Sequence, residues 1–202
     1  MIVSQFGVES WMDQYEEGAK YNITDTCAKP LSLAELFSLA GEDRTDFMDR
    51  FFEREQTYGT IFGSEKVKKE ISRLYTSICP EEILTEHGAT GGDQHIFFSL
   101  IRPGDRVIAF SPSYQQFYSA PEALGAEVTV LRLRRENGYL PDLDELSQAA
   151  ARGVRMICLN NPNNPTGTLI PSDMMKDIVA IARQSGAYLF CDEVYSGVSI
   201  DG

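Results

Sequence analysis

From Asp105 onward the chain alternates between short apolar runs and helix-patterned stretches, and few architectures accept that rhythm. Residues 106–110 (RVIAF) follow the turn-forming Pro103-Gly104-Asp105 and stop at Ser111-Pro112. Residues 127–133 (EVTVLRL) are rich in β-branched side chains, 155–159 (RMICL) run into an Asn/Pro cluster, and 187–191 (AYLFC) run into Asp192-Glu193. Runs so short and apolar suit strands buried on both faces of a parallel sheet. Residues 91–101, 114–124, 142–152 and 172–184 carry helical patterning, and Gly125, Gly153 and Gly186 supply stops for the last three. Strand, helix and strand in steady succession predict βαβ units with right-handed crossovers. The expected fold is α/β, a three-layer αβα arrangement around a mostly parallel sheet.

The first 57 residues break the rhythm. Residues 31–39 and 44–55 read as short helices, and the segment looks like an arm and a helical lead-in rather than a compact unit. A glycine-punctuated loop, Tyr58-Gly59-Thr60-Ile61-Phe62-Gly63, opens the larger part, expected to run from 58 to 202. The 202 residues contain 30 acidic against 18 basic side chains, a net charge of −12. Such a field repels nucleic acid and anionic lipid, although a local phosphate site stays open. The apolar runs are too short to span a bilayer, and no basic start precedes an apolar stretch at the N-terminus. The four cysteines form no C-x-x-C pair, and two histidines without clustered ligands predict no metal site. A cytoplasmic protein without nucleic-acid or membrane partners is expected.

Four segments near strand ends carry candidate chemistry. Gly88-Ala89-Thr90-Gly91-Gly92 precedes a helix, where small residues let an anion approach backbone N–H groups and Thr90 can add a hydroxyl. A flexible glycine turn explains the same residues equally well. Residues 160–167 (NNPNNPTG) end a buried strand, at the crevice where α/β proteins bind ligands. Each Asn-Pro step disfavours helical geometry and permits a cis bond. In residues 190–197 (FCDEVYSG), Asp192 follows an apolar run, so its carboxylate needs a cationic or hydrogen-bonding partner to stay ionised, whereas Glu193 reads as a solvated neighbour. In residues 111–118 (SPSYQQFY), Tyr114 either stacks on a planar ligand or caps the sheet.

Taken together and in this order, the four segments resemble the class I and II pyridoxal-phosphate-dependent aminotransferases, the fold-type I family that includes aspartate aminotransferase. The strongest match is Asn161-Pro162-Asn163-Asn164-Pro165-Thr166-Gly167, followed 28 residues after Asn164 by Asp192-Glu193-Val194-Tyr195. The resemblance implies pyridoxal 5'-phosphate as cofactor, and an α-amino acid and a 2-oxo acid as substrates. Asp192 would pair with the pyridine nitrogen and keep it protonated, while Tyr195 and Asn164 would hydrogen-bond the phenolic oxygen. Asn164 would also help hold the substrate carboxylate. Tyr114 would stack on the ring, and Ala89 and Thr90 would hold the phosphate. Tyr58 would reach the phosphate of a neighbouring subunit, implying a homodimer. The bonds before Pro112 and Pro165 become candidates for cis geometry.

The same resemblance places the Schiff-base lysine a few dozen residues beyond Tyr195 and the arginine that clamps the substrate in a C-terminal domain. The last lysine of this sequence is Lys176, inside the helix between the two last motifs, so the chain is expected to be the N-terminal half of a larger enzyme, lacking that lysine and inactive alone. In the arm, residues 24–30 (TDTCAKP) occupy the part that closes over the substrate in relatives, which makes Ala28 a candidate substrate contact and leaves Lys29 a surface residue. A sibling lyase, decarboxylase or cyclase, or a non-catalytic cofactor-binding module, would carry the same cofactor residues.

Overall fold

The computed structural model describes residues 4–24 and 26–198. In chain order these residues form α1 (Gly7–Tyr15), α2 (Leu33–Ala40), α3 (Arg44–Phe52), α4 (Glu65–Ser72), α5 (Ala89–Leu100), β1 (Arg106–Ser111), α6 (Gln116–Ala123), β2 (Glu127–Arg132), α7 (Leu143–Ala150), β3 (Met156–Asn160), α8 (Ser172–Ser185) and β4 (Tyr188–Asp192). They divide into two compact units, one of Met1–Thr26 with His87–Gly202 and one of Cys27–Glu86. The division thus falls on either side of the 57/58 boundary read from sequence.

In the first unit the strands lie in the order β2-β1-β3-β4, and every pairing is parallel. Successive side chains of a strand leave on opposite faces, and here both faces are covered. Val107, Ala109, Met156 and Cys158 pack with Phe97 and Ile101 beneath α5, and with Phe117 and Ala120 of α6. Ile108, Phe110, Ile157 and Leu159 pack on the other side with Leu146 and Ala150 of α7, and with Ile178 and Ala182 of α8. Three layers result, as the apolar runs predict. All of β3 is buried, whereas β2 departs from the expectation of two covered faces. Among the described residues it has a neighbour on one side only, and its Glu127, Thr129 and Arg132 are exposed.

Local chemistry sets the helix ends. Asp142 Oδ1 accepts from the N–H groups of Asp144 and Glu145, both at 3.0 Å, and so starts α7. Gly186 closes α8 with a left-handed φ of 68°. Helix α6 begins at Gln116 rather than at the expected 114, because Tyr114 and Gln115 remain in the turn leaving β1.

The path β1–α6–β2 moves to one side of the sheet, and β3–α8–β4 moves to the other. Connections that diverge from adjacent parallel strands leave a crevice at their carboxyl ends. The loops entering that crevice, 112–115 and 161–167, both come from segments singled out above.

The second unit is helical. Ser32 and Glu35 form a reciprocal capping box at the start of α2, the Ser32 N–H donating to Glu35 Oε2 at 2.8 Å and the Glu35 N–H to Ser32 Oγ at 3.2 Å. Phe37 of α2 meets Phe47 of α3 edge to face, with centroids 5.1 Å apart. In α4, Lys68 is buried at 5% exposure with Nζ 2.8 Å from Glu65 Oε1. Gly63 has a φ of +92°, and a Cβ there would collide with Thr85, so only glycine fits the loop.

Candidate functional site

Helix α5 starts at an unusual cap. Gly88 holds a φ of +76°, no side chain caps the first turn, and the space around the glycine is open. Its leading N–H groups, at Ala89 and Thr90, are therefore placed to receive an anion, and a helix of 12 residues adds its dipole. The Thr90 carbonyl accepts from Gln116 Nε2 at 2.9 Å, tying this turn to α6.

Past β1, Tyr114 lies edge-on to Phe6 and to Phe117, with centroids 5.9 Å away in each case. Its hydroxyl donates to Glu9 Oε1 at 3.1 Å. Burial holds the Tyr114 phenol above its usual range, the Glu9 and Asp93 carboxylates push the same way, and Thr90 opposes them. Gln115 fixes the N-terminal arm beside it: Oε1 accepts from the Gly7 N–H at 3.1 Å, and Nε2 donates to the Gln5 carbonyl at 2.9 Å.

The loop after β3 is a polar scaffold. Asn160, 6% exposed, donates from Nδ2 to the Asp192 carbonyl at 3.1 Å and to Asp192 Oδ1 at 3.4 Å, while its Oδ1 accepts from the Asn164 N–H at 2.6 Å. Asn163 Nδ2 reaches across the crevice to the Pro112 carbonyl at 3.1 Å. Asn161 Oδ1 accepts from the Ile170 N–H at 2.8 Å. The peptide bonds before Pro112 and Pro165 are cis as expected, and so is the one before Pro162.

At the end of β4, Asp192 is partly buried, and its Oδ1 also accepts from the Val194 N–H at 2.8 Å. Asn164 Nδ2 donates to the Tyr195 hydroxyl at 3.2 Å, and Thr26 Oγ1 lies 3.0 Å from the same oxygen. The first unit thus holds Ala89, Thr90, Tyr114, Asn164, Asp192 and Tyr195; Asn160 ties Asp192 to Asn164, which bonds Tyr195, and Gln116 holds Thr90. Glu193 is exposed. Ala28 and Tyr58 belong to the second unit, where both are exposed.

Sequence reasoning passed over Asp93. Its side chain is buried at 6% exposure, and Oδ2 has no hydrogen-bond partner. Burial first, then the neighbouring Asp192 carboxylate, raise its titration to about 7. The signal was present: 93, 97 and 101 fall at successive i+4 positions, so Asp93 shares a stripe with the buried Phe97 and Ile101. Asn160 and Asn163 were visible only as members of a polar string. Glu9 and Gln115 had no local signal, because their partners lie more than a hundred residues away.

A family model described as aminotransferase class I and II matches residues 48–202. A solved structure of a PLP-dependent aminotransferase from Streptococcus suis 89-1591 is 44% identical and superposes with a TM-score of 0.93, covering 96% of this chain and 52% of that one. An LL-diaminopimelate aminotransferase from Syntrophobacter fumaroxidans is 34% identical over 121 residues, which are 60% of this chain and 31% of the relative. An aspartate aminotransferase from Pyrococcus horikoshii is 35% identical over 115 residues, 57% of this chain and 29% of the relative. The chain therefore spans less than a third of these two curated relatives and about half of the solved one.

Proposed function

The chain belongs to the class I and II aminotransferases, and from that premise we propose that it supplies the cofactor cradle of an enzyme moving an amino group between an α-amino acid and a 2-oxo acid. The observation that carries this reading is a convergence. Asp192, Tyr195, Asn164 and the uncapped start of α5, distant in sequence, meet at the carboxyl ends of parallel strands. The donor set suits pyridoxal phosphate. An N-terminal helix turn with unshielded N–H groups fits a phosphate, a carboxylate anchored by an amide and a backbone N–H fits a cationic ring nitrogen, and a phenol paired with an amide fits an oxyanion between them.

Pyridoxal phosphate held there would supply a pyridinium electron sink for bond breaking at the substrate Cα. Asp192 holds the proton on the ring nitrogen, and Asn160 with the Val194 N–H fixes the carboxylate for that task. Tyr195 presents a phenol whose position is set by Asn164 and Thr26. Thr90 and the Ala89 N–H take the phosphate. Tyr114, held by Phe6 and Glu9 of the arm, would pack against the ring, and these two would limit water around it.

Three assignments extend the proposal. Asn164 helps hold the substrate carboxylate, Ala28 contacts the substrate, and Tyr58 serves the phosphate of a second subunit in a homodimer. Exposed apolar side chains of the second unit, among them Leu36, Phe51, Ile61 and Phe62, support a subunit contact. The test is to titrate the full-length protein with pyridoxal phosphate, follow its absorption, and then offer paired amino acids and 2-oxo acids. Exchange of the amino group between them is expected. Tight cofactor binding with release of carbon dioxide, ammonia or a cyclised product instead would favour a sibling enzyme, and absence of cofactor binding would sink the reading.

A further inference from the structure

Asp93 has no task in the chemistry above, yet it is the most thoroughly enclosed carboxyl group near the site. It lies three residues after Thr90 on α5, with Oδ2 shut away from water and without a partner. Phe97, one turn further along α5, packs on Phe190 of β4 with centroids 5.2 Å apart, which brings Asp93 to the end of β4, where Asp192 lies two residues beyond Phe190. The charges of Asp192, Cys158 of β3 and Tyr114 of the turn after β1 bear on Asp93 there. None of the three can carry a positive charge. Gln116 of α6, the other buried polar side chain of this region, gives its amide N–H to Thr90. A carboxyl group as enclosed as Asp93, beside the partly buried carboxylate of Asp192, is disfavoured as a second negative charge.

We propose that Asp93 is a positioning residue that shares a single proton with Asp192, serving as the acid of the pair so that Asp192 remains the carboxylate turned toward the cofactor. The proposal rests on the reading that Asp192 meets the ring nitrogen. It has a consequence that a purely structural Asp93 lacks. A cation arriving at Asp192 relieves the repulsion between the two carboxyl groups, so Asp93 gives up its proton more easily, and cofactor binding releases that proton. By linkage, the affinity contributed by this pair rises with pH up to about 7 and levels off above it.

Two measurements test it. In the cofactor-free full-length protein, carboxyl 13C signals of labelled aspartate are followed from pH 4 to 9, and the Asp93 signal is identified by its loss in Asp93→Asn. Titration near neutrality is expected, and a fall toward the ordinary carboxylate range when Asp192→Asn removes the like charge. Titration of the wild-type Asp93 in that ordinary range would overturn the proposal. Pyridoxal-phosphate affinity is then compared between wild type and Asp93→Asn, which keeps the shape and a donor but cannot ionise. The ratio of the two affinities should change by up to about tenfold per pH unit below neutrality, and parallel profiles would count against the pair. A protein that binds no cofactor defeats the functional reading, whereas the titration judges the carboxyl pair by itself. If Asp93→Asn fails to fold, sequential assignment of the wild-type signal still decides.

Discussion

Asn160 meets its hydrogen-bonding capacity almost wholly with groups that the site uses. Its amide N–H bonds reach both the carbonyl and the carboxylate of Asp192, and its oxygen receives the backbone of Asn164. Asn160→Ala leaves the partly buried N–H of Asn164 without that partner and releases Asp192, which should cost about 1–3 kcal/mol in denaturant unfolding. The same variant should weaken pyridoxal-phosphate retention, because Asn164 and Asp192 then lose their common anchor. Unchanged retention would show that the two are positioned independently. Asp192→Asn tests the proposed role directly. It preserves shape but cannot hold a proton on a ring nitrogen through a full charge, so turnover should fall by about a hundredfold or more while the melting temperature stays near that of wild type. Retained turnover would remove Asp192 from that role.

Helix α5 shows how one element joins packing to the site. Its first turn meets the crevice, and two turns later Phe97 is buried against Phe190 with centroids 5.2 Å apart. Phe97→Ala should therefore cost about 3–5 kcal/mol, whereas the neighbouring Phe98→Ala, at 45% exposure, should cost about 0.5 kcal/mol or less. Equal losses in urea melts would contradict the burial of that face. The same periodic logic explains what was legible in the sequence. β1 and β3 could be read because both faces are covered and every residue of the run is apolar. β2 could be located but not placed, since edge position depends on strand order rather than composition. Asp93 could have been read from its i+4 spacing to Phe97. Asn164, Asp192 and Tyr195 were singled out through their motif, but the buried link from Asn160 was not, because a polar residue ending a strand looks the same whether solvated or enclosed. The tie from Gln115 to the arm, and the grouping of 58–86 with the preceding helices, arise from tertiary contacts that leave no periodic trace.

For the molecule as a whole, the Asp93 carboxyl makes stability depend on pH with a defined sign. Its folded-state titration lies at about 7, above that of an unfolded aspartate. Between those two values the folded chain binds more protons than the unfolded chain, so stability declines as pH rises toward 7 and levels off beyond it. One such proton limits the slope to about 1.4 kcal/mol per pH unit. Other shifted carboxyl groups act in a different window. Glu35 is lowered by the Ser32 backbone and side chain, Glu81 by its own backbone and by Cys79, and Glu82 by the Cys79 backbone and side chain, so their contributions fade only under acid conditions. The net charge of −12 adds repulsion that grows with pH, but Asp93→Asn removes only one of the 30 acidic side chains, so this repulsion nearly cancels in their comparison. Urea unfolding of the cofactor-free protein at pH 5.5 and pH 8 should therefore show wild type losing stability relative to Asp93→Asn over that span, with the two differing most at the alkaline end. If their difference stays constant from pH 5.5 to 8, the Asp93 carboxyl ionises at the same pH folded and unfolded, and its enclosure beside Asp192 exerts no control over its charge.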